Sequence, residues 1–343
     1  MKRLYVVLAI CLAASSAFAQ ARPPPFIGGI PGHAQFRAIE TQRHQARTLL
    51  YREALDELRK NPKAADLPEC PAGQAPKGGQ CLARTDASLA SLPASAAKPL
   101  ADDKTPTVRR RFALLIGNNV YAKPIPPLET PIADVSRIAS VLQTRFGFET
   151  RIVKDAGKTQ IIEAFNDIAA QASPDDSVLL FYAGHGYLLD DVKMGYWIPV
   201  DASVKTAKGW ISNSDISKLL SAIRARQLIL VSDSCYSGTL TEEQKLSDSQ
   251  MLKADEILKQ RSVLVFSSGA DEPVSDEGKE GHSIFAWNLL KTLKSTASVT
   301  PGAKIWTLVR NNVSKEYEQE PQYGAVVSAG HVAGGDFLFQ TEK

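Results

Sequence analysis

Residues 177–186 read SVLLFYAGHG, and residues 228–238 read LILVSDSCYSG. Each stretch begins with an apolar run of strand length and ends in small and polar residues, which is typical of a strand buried on both faces of a parallel sheet. His185 and Cys235 each follow such a run. Because ligands of open parallel sheets bind at the carboxyl ends of the strands, we expect both side chains to face one cleft if the two strands are neighbours.

Apolar strand-like runs alternate with helical periodicities throughout residues 107–343. This alternation predicts an α/β domain with a mostly parallel central sheet that helices cover on both faces. The predicted strands are 112–116, 148–153, 177–182, 196–200, 228–231, 263–267 and 337–339, of which the last closes the sheet. The predicted helices lie near 132–146, 161–169, 216–223, 284–293 and 305–313.

A thiol beside an imidazole is the arrangement that yields a thiolate near neutral pH, so Cys235 and His185 are the candidate catalytic pair. The glycines on either side of His185 let the backbone approach a substrate closely. The main-chain amides of Gly186 and Cys235 are candidates for binding the oxyanion of a tetrahedral intermediate. His282 and His331 are rival general bases, but neither follows a strongly apolar strand, and we interpret both as structural.

The first nineteen residues have the pattern of a secretory signal peptide. Lys2 and Arg3 precede an apolar run at residues 4–12, and Ala17-Phe18-Ala19 is a small-residue cleavage pattern. The run is too short to span a bilayer, and no later segment reaches about 20 apolar residues. We therefore expect an exported protein, periplasmic or secreted, without an integral membrane segment after cleavage. An uncleaved anchor is the alternative.

Residues 20–106 form a second zone, with a predicted helix over 35–60 and a linker over 61–106. Cys70 and Cys81 bracket a Pro/Gly-rich loop, and a local disulfide is expected in an oxidising compartment. A metal site is the alternative, although no histidine lies nearby to serve as a ligand. This pairing would leave Cys235 as the unpaired thiol of the exported chain.

Composition excludes several classes of protein. The 343 residues are 22% charged and 44% hydrophobic, which excludes collagen-like, coiled-coil and wholly disordered chains. A net charge of +3 is too close to neutral for a general nucleic-acid binder. The phosphate-binding motifs G-x-G-x-x-G after a strand and G-x-x-x-x-G-K-[ST] are both absent from the sequence.

Two motifs together resemble the caspase-like cysteine peptidases, and within them the metacaspases and their bacterial relatives. These are YAGHG at 182–186 and DSCYSG at 233–238, and the resemblance extends from Arg109 to about Gln340. The resemblance implies the three-layer α/β/α caspase-like fold, with Cys235 as nucleophile and His185 as general base of peptide-bond hydrolysis. The family uses a dyad, and the sequence contains no obvious third member. Many metacaspases have Ser where this chain has Ala183.

Asp233 stands two residues before Cys235, so in extended backbone its carboxylate borders the same cleft. A carboxylate there would repel an acidic side chain and pair with Arg or Lys. Metacaspases, which cut after Arg or Lys, are similar in this respect, and the resemblance adds Asp134 as a second acidic pocket residue. The alternative role for Asp134 is a carboxylate stabilising a helix N-terminus.

The resemblance also raises calcium as a cofactor, because many metacaspases need it. The candidate carboxylate ligand is Asp201, with Asp190, Asp191 and Asp215 as further oxygen donors. Scattered aspartates are more often solvated turn residues. Residues 239–261 correspond to the segment where caspase-like enzymes cut themselves, and an ordinary solvated helix is the alternative.

We expect the partner to be a peptide or protein substrate with a basic residue before the scissile bond. Two other functions stay open. One is a catalytically silent caspase-like binding or assembly module, and the other is a cysteine amidohydrolase that acts on a small substrate. Retention of the His185 and Cys235 pair argues against the silent module.

Overall fold

The computed structural model describes residues 108–189, 194–234, 254–269, 278–317 and 319–342, with the backbone alone for 74–77, 80–83, 189, 244–245 and 316. The signal peptide, the helix over 35–60 and the boundaries at residues 19 and 106 lie outside these ranges, so they remain predictions. None of the described helices is both long enough and apolar enough to cross a membrane.

Short elements alternate along the described chain. The strands are β1 Gln74–Lys77, β2 Gln80–Ala83, β3 Arg111–Gly117, β4 Glu149–Lys154, β5 Ser177–Ala183, β6 Gly186–Leu189, β7 Met194–Trp197, β8 Ile211–Ser212, β9 Gln227–Asp233, β10 Gln244–Lys245, β11 Ser262–Ser267, β12 Thr300–Pro301, β13 Gln322–Ala325 and β14 Leu338–Phe339. The α-helices are α1 Pro131–Phe146, α2 Lys158–Gln171, α3 Asn213–Ala222, α4 Ala254–Lys259, α5 Ile284–Ser295 and α6 Gly302–Glu316.

The main sheet has seven strands in the order β10-β13-β11-β9-β5-β3-β4. The five strands from β11 to β4 are parallel, whereas β13 and β10 are antiparallel. The predicted mostly parallel sheet is therefore confirmed. Strands β5 and β9, which precede His185 and Cys235, are direct neighbours, as the cleft hypothesis requires.

Helices cover both faces of the sheet. One apolar cluster packs residues of α1, α5 and α6 against one face, and a second packs residues of α2 and α3 against the other. Strand β3 serves both clusters, since Ala113 and Leu115 face one while Leu114 and Ile116 face the other. Burial on both faces explains why these strands are continuous apolar runs. The three layers bring the carboxyl ends of β3, β5 and β9 to one edge.

Three parts of the strand prediction need correction. The late strand β14 does not close the sheet, because it pairs with β12 in a separate two-stranded ribbon. The predicted strand at 196–200 is β7, which ends at Trp197 and belongs to a small sheet with β6 and β8. Strand β13 was not predicted. Its four residues, QYGA, contain a glycine and lack the apolar run that marks the predicted strands.

Strands β1 and β2 form an antiparallel hairpin within the zone predicted as linker. Only two residues, Gly78 and Gly79, separate the strands, and a Gly-Gly pair at this spacing is a hairpin signal. Cys81 lies on β2, opposite Pro76, but its side chain and Cys70 are outside the described residues. The disulfide between Cys70 and Cys81 therefore remains a prediction.

Candidate active site

The register of β5 and β9 determines how the two motifs are placed. Every paired residue on β9 is fifty positions after its partner on β5, and the last pair is Ala183 with Asp233. His185 follows Ala183 by two residues, and Cys235 follows Asp233 by the same two. The main-chain amide of Gly184 donates to the carbonyl of Asp233 at 3.3 Å, so the described strand ends stay in contact. Cys235 itself lies outside the described residues.

His185 is buried, and a main-chain carbonyl orients its ring. Its Nε2 lies 2.8 Å from the carbonyl oxygen of Pro126. Because a carbonyl can only accept, Nε2 carries the proton in this contact, and in the neutral ring Nδ1 is then the basic nitrogen. The Tyr121 ring packs against the imidazole with ring centroids 4.7 Å apart. The Tyr121 hydroxyl accepts a hydrogen bond from the His185 main-chain amide at 2.9 Å.

Two tyrosines surround the turn that carries His185. The Tyr182 hydroxyl lies 3.0 Å from the carbonyl of His185 and 3.2 Å from that of Ile198. A Cβ atom added at Gly184 would lie 2.7 Å from the Tyr121 hydroxyl and 2.8 Å from that of Tyr182. A glycine at position 184 therefore leaves room for the two hydroxyls that hold the turn, in addition to the close substrate approach predicted from the sequence.

The loop between β3 and α1, residues 118–130, carries both Tyr121 and Pro126. Asp155, at the end of β4, accepts hydrogen bonds from the main-chain amides of Asn119 and Val120 at 2.7 and 2.9 Å. Asp155 has φ 47°, a left-handed conformation that Asp and Asn tolerate better than most residues. One carboxylate therefore anchors the start of the loop that orients His185.

A set of hydrogen-bonded side chains connects Trp197 to the end of β9, the strand that precedes Cys235. The Trp197 indole N–H donates to the Ser232 hydroxyl at 3.1 Å, and the Ser232 and Ser234 hydroxyls are 3.1 Å apart. All three side chains are buried, and the Trp197 ring stacks on Tyr182 with centroids 4.1 Å apart. The small sheet of β6–β8 is thereby linked to the end of β9.

The two predicted pocket acids converge on the segment that contains His282 and Ser283, to which the sequence assigned no role in the pocket. Asp233 accepts a 2.6 Å hydrogen bond from the Ser283 hydroxyl. Asp134 accepts the Ser283 main-chain amide at 3.2 Å, and its other oxygen lies 2.6 Å from Nδ1 of His282. Both acids and Ser283 are buried. Asp134 is also in the first turn of α1, so both roles considered for it, helix terminus and site, are compatible with its position.

His282 is about 15% exposed at its side chain and belongs to this acidic cluster. Burial lowers the pKa of His282 below its ordinary value, and the positive charges of Lys294 and Arg137 lower it further, whereas Glu280 raises it. The carboxylate of Asp134 also favours the protonated ring. Burial and the two cations prevail, so the pKa of His282 lies below its ordinary value. Its neutral ring donates from Nδ1 to Asp134.

The remaining histidine of the domain, His331, has a structural contact away from the candidate site. His331 is buried, and its Nδ1 accepts from the main-chain amide of Val263 at the start of β11. Since β11 is parallel to β9, that position is at the opposite edge of the sheet from His185. Burial lowers the pKa of His331. Gly186 begins β6 opposite Trp197, close to His185, while its role in oxyanion binding remains a prediction.

Asp201, the predicted calcium ligand, accepts a hydrogen bond from the main-chain amide of Lys158 at the start of α2. Asp215 lies in the capping box of α3 with Ser212. Within the described part of the chain, no three His, Cys, Asp or Glu side chains form a group that could hold a metal ion. Asp190 and Asp191 lie outside those residues, so the calcium expectation remains a prediction.

The segment over 239–261 is described only in part. Helix α4 ends at Lys259, and its Ile257 is buried, as expected for the solvated helix. The Arg261 guanidinium binds the main-chain carbonyls of Ile223, Ala225 and Ala329. Arg261 is therefore engaged at the end of α3 and is a poor self-cleavage site.

Comparison with known proteins agrees with this geometry. The family model described as "Caspase domain" matches residues 110–328. The chain belongs to the caspase-domain family of cysteine peptidases. Metacaspase-1B of Aspergillus fumigatus is 29% identical over 209 residues, covering 55% of this chain and 49% of that protein. Metacaspase-9 of Arabidopsis thaliana is 26% identical over 157 residues, covering 42% and 48%. The chain thus spans about half the length of these curated relatives.

The caspase fold is also found by structural comparison. The crystal structure of caspase-1 from Spodoptera frugiperda superposes with a TM-score of 0.50 at 14% identity, covering 67% of this chain and 93% of that one. Family membership and the fold, both expected from the two motifs, are confirmed. The domain matched by the family begins within a few residues of the first described strand of the main sheet.

Proposed function

We propose that the protein is an exported cysteine endopeptidase that cleaves peptide bonds after Arg or Lys with a Cys235–His185 dyad. The observation that carries this proposal is the register of β5 and β9, in which Ala183 and Asp233 are paired. His185 and Cys235 follow that pair by equal numbers of residues. The orientation of His185 by Pro126 supports its role as the base.

In the proposed reaction, Nδ1 of His185 takes the proton of the Cys235 thiol, and the thiolate attacks the scissile carbonyl carbon. The amides of Gly186 and Cys235 stabilise the oxyanion. His185 then gives its proton to the leaving amine, and the C–N bond breaks to leave a thioester. His185 next deprotonates a water that attacks the thioester, which releases the acid and restores the thiol. Throughout, the Pro126 carbonyl keeps Nε2 protonated and stabilises the imidazolium.

The acidic cluster supports basic specificity. Asp233 and Asp134 are buried carboxylates joined through Ser283, next to the turn that carries His185. A guanidinium or ammonium entering there would meet two acceptors of charge-assisted hydrogen bonds, while an acidic side chain would be repelled. Asp233 is therefore assigned as the main specificity residue, with Asp134 beside it.

Export and a need for calcium are also part of the proposed function, because the fold itself tests neither. Signal cleavage after Ala19 is proposed from residues 1–19. If calcium is needed, Asp201 would have to exchange its contact with the Lys158 amide for the ion, or supply its second oxygen. The silent binding module and the small-substrate amidohydrolase are the competing functions.

The test is a panel of matched fluorogenic peptides ending in Arg, Lys, citrulline or Asp, with and without calcium, on the full chain and on Cys235→Ala. We expect cleavage of the Arg and Lys peptides only, and none by Cys235→Ala. Asp233→Asn keeps the acceptor for Ser283 but removes a charge, so the KM of the Arg peptide should rise about tenfold to a hundredfold. Citrulline peptides serve as the uncharged control.

Cleavage of the Asp peptide by the wild-type protein would overturn the specificity while retaining the dyad. Cleavage by Cys235→Ala would overturn the dyad. Complete inactivity with and without calcium would favour the silent module, and hydrolysis of a simple amide such as glutamine instead of peptides would favour the amidohydrolase.

A further inference from the structure

The acidic cluster contains a titratable base that neither the dyad nor the pocket assignment uses. His282 contacts Asp134 through Nδ1 at 2.6 Å, and the next residue, Ser283, contacts both Asp134 and Asp233. The two pocket acids and the imidazole are therefore parts of one hydrogen-bonded unit at the start of α5. A proton on His282 changes the charge of that unit by one.

We propose that His282 sets the charge of the acidic pocket, so that its protonation weakens binding of a basic substrate side chain. This inference rests on the proposed specificity for Arg or Lys. When the ring is neutral, Asp134 keeps its full negative charge for the substrate. When the ring is protonated, His282 and Asp134 form an ion pair, and an incoming cation meets one net negative charge fewer.

Charged groups from each neighbouring element bias the titration of His282. Asp134 and Arg137 come from α1, Lys294 from α5 and Glu280 from the preceding turn. The Trp287 ring of α5 lies near the imidazole, with centroids 6.3 Å apart. Arg137 and Lys294 oppose the imidazolium, whereas Asp134 and Glu280 favour it. A bound guanidinium would be a third opposing cation.

The direction of the pH effect on KM follows from the linkage between proton binding to His282 and binding of the basic ligand. Because burial and the two cations hold the pKa of His282 below its ordinary value, the ring is neutral at neutral pH and gains its proton in mildly acidic solution. A basic ligand favours the neutral ring, so it should lower the His282 pKa further. Reciprocally, falling pH should weaken the ligand's binding. The KM for a basic peptide should therefore rise as the pH falls through the lowered pKa of His282, which lies below the ordinary histidine value of about 6.5.

His282→Asn separates this effect from a structural role. The Asn side-chain amide can donate to Asp134 from nearly the position of Nδ1, but it does not titrate. Each protein is compared with itself by the ratio of KM at pH 5.5 to KM at pH 8.0 for an Arg peptide. We expect that ratio to be about twofold to fourfold larger in the wild type than in His282→Asn, because a histidine whose pKa is lowered is only partly protonated at pH 5.5. Titration of the dyad, which His282→Asn retains, should affect kcat in both proteins alike.

A binding measurement gives an answer that does not depend on turnover. The imidazole signals of the full-length Cys235→Ala protein are followed by NMR against pH, with and without agmatine, a small guanidinium. His282 is assigned from the signal missing in the spectrum of Cys235→Ala/His282→Asn. Agmatine should lower the pKa of His282 and leave that of His331 unchanged, since His331 is at the opposite edge of the sheet.

The outcomes separate the two proposals. Cleavage after Arg with equal KM ratios in the wild type and His282→Asn would overturn the role of His282 and leave the peptidase function standing. Absence of any peptidase activity would overturn the proposed function. In that case an unchanged His282 pKa with agmatine would overturn this inference as well, whereas a lowered pKa would still support a cation pocket governed by His282.

Discussion

Tyr121 contributes to the orientation of His185 in two ways, through its ring and through its hydroxyl. The hydroxyl binds the His185 amide at 2.9 Å, and the ring packs on the imidazole. The carbonyl of Pro126, 2.8 Å from Nε2, also orients His185, and the motif around His185 does not reveal it. It is a main-chain carbonyl, which any residue carries, so no side chain in the sequence marks it.

Tyr121→Phe removes the hydroxyl and keeps the ring. Since one hydrogen bond to the turn is lost, we expect kcat for an Arg peptide to fall about threefold to tenfold, with KM nearly unchanged. Steady-state kinetics with Tyr196→Phe as a matched control would measure this. An unchanged kcat in Tyr121→Phe would show that the ring alone fixes the turn.

At the scale of elements, the loop over residues 118–130 depends on a residue from a different strand end. Asp155 holds the amides of Asn119 and Val120, and it does so from a left-handed backbone conformation. Asp155→Ala removes the acceptor carboxylate and places alanine at a position where φ is positive. Asp155→Asn keeps an acceptor oxygen and tolerates that conformation.

We expect Asp155→Ala to lower the free energy of unfolding by about 1–3 kcal/mol, with a fall in kcat/KM. Asp155→Asn should lose less than half of either quantity. Urea unfolding and peptide kinetics on the two variants provide the comparison. Equal losses in both variants would mean that charge, rather than acceptance of the two amides, anchors the loop.

Arg261 joins the end of α3 to the start of β11 and to the turn at Ala329. It is largely buried, which lowers the pKa of its guanidinium, and it serves three carbonyls with one side chain. Arg261→Ala leaves these carbonyls without that donor, so the free energy of unfolding should fall by about 2–4 kcal/mol.

Arg261→Lys supplies a cation without the planar fork and should recover only part of this stability in urea unfolding. If the active protein cuts itself between β9 and β11, mass mapping of the fragments should find no cut after Arg261 in the wild type. A cut at that residue would contradict the structural role assigned to it.

At the scale of the whole molecule, the features that could be predicted are those that depend on hydrophobic periodicity and on the order of elements along the chain. The apolar runs before His185 and Cys235 identified two central strands, and the fold follows from their alternation with helices. The sequence did not predict β13, or that β14 would leave the main sheet, because pairing of short strands is decided by tertiary contacts. The link from Asp134 and Asp233 to Ser283 joins residues up to 149 positions apart, which no local pattern records.

The position of His282 next to the candidate site is another feature that the sequence could not predict. Because His282 does not follow an apolar strand, the sequence alone favours a structural interpretation, and that criterion applies only to residues at strand ends. The residue instead precedes α5 and reaches the site through Asp134 on α1. The packing of α1 and α5 on the same face of the sheet makes this contact, and it becomes visible only once the layers are assembled.

The most direct test of the account is covalent labelling of the full chain with a peptidyl acyloxymethyl ketone that ends in Arg, followed by mass mapping of every cysteine. The probe requires a thiolate nucleophile and a pocket for a basic side chain in one event. We predict modification of Cys235 alone, a large loss of labelling in His185→Ala and in Asp233→Asn, and none with the matched probe that ends in Asp. Labelling at Cys70 or Cys81, or equal labelling by the Asp probe, would contradict the account.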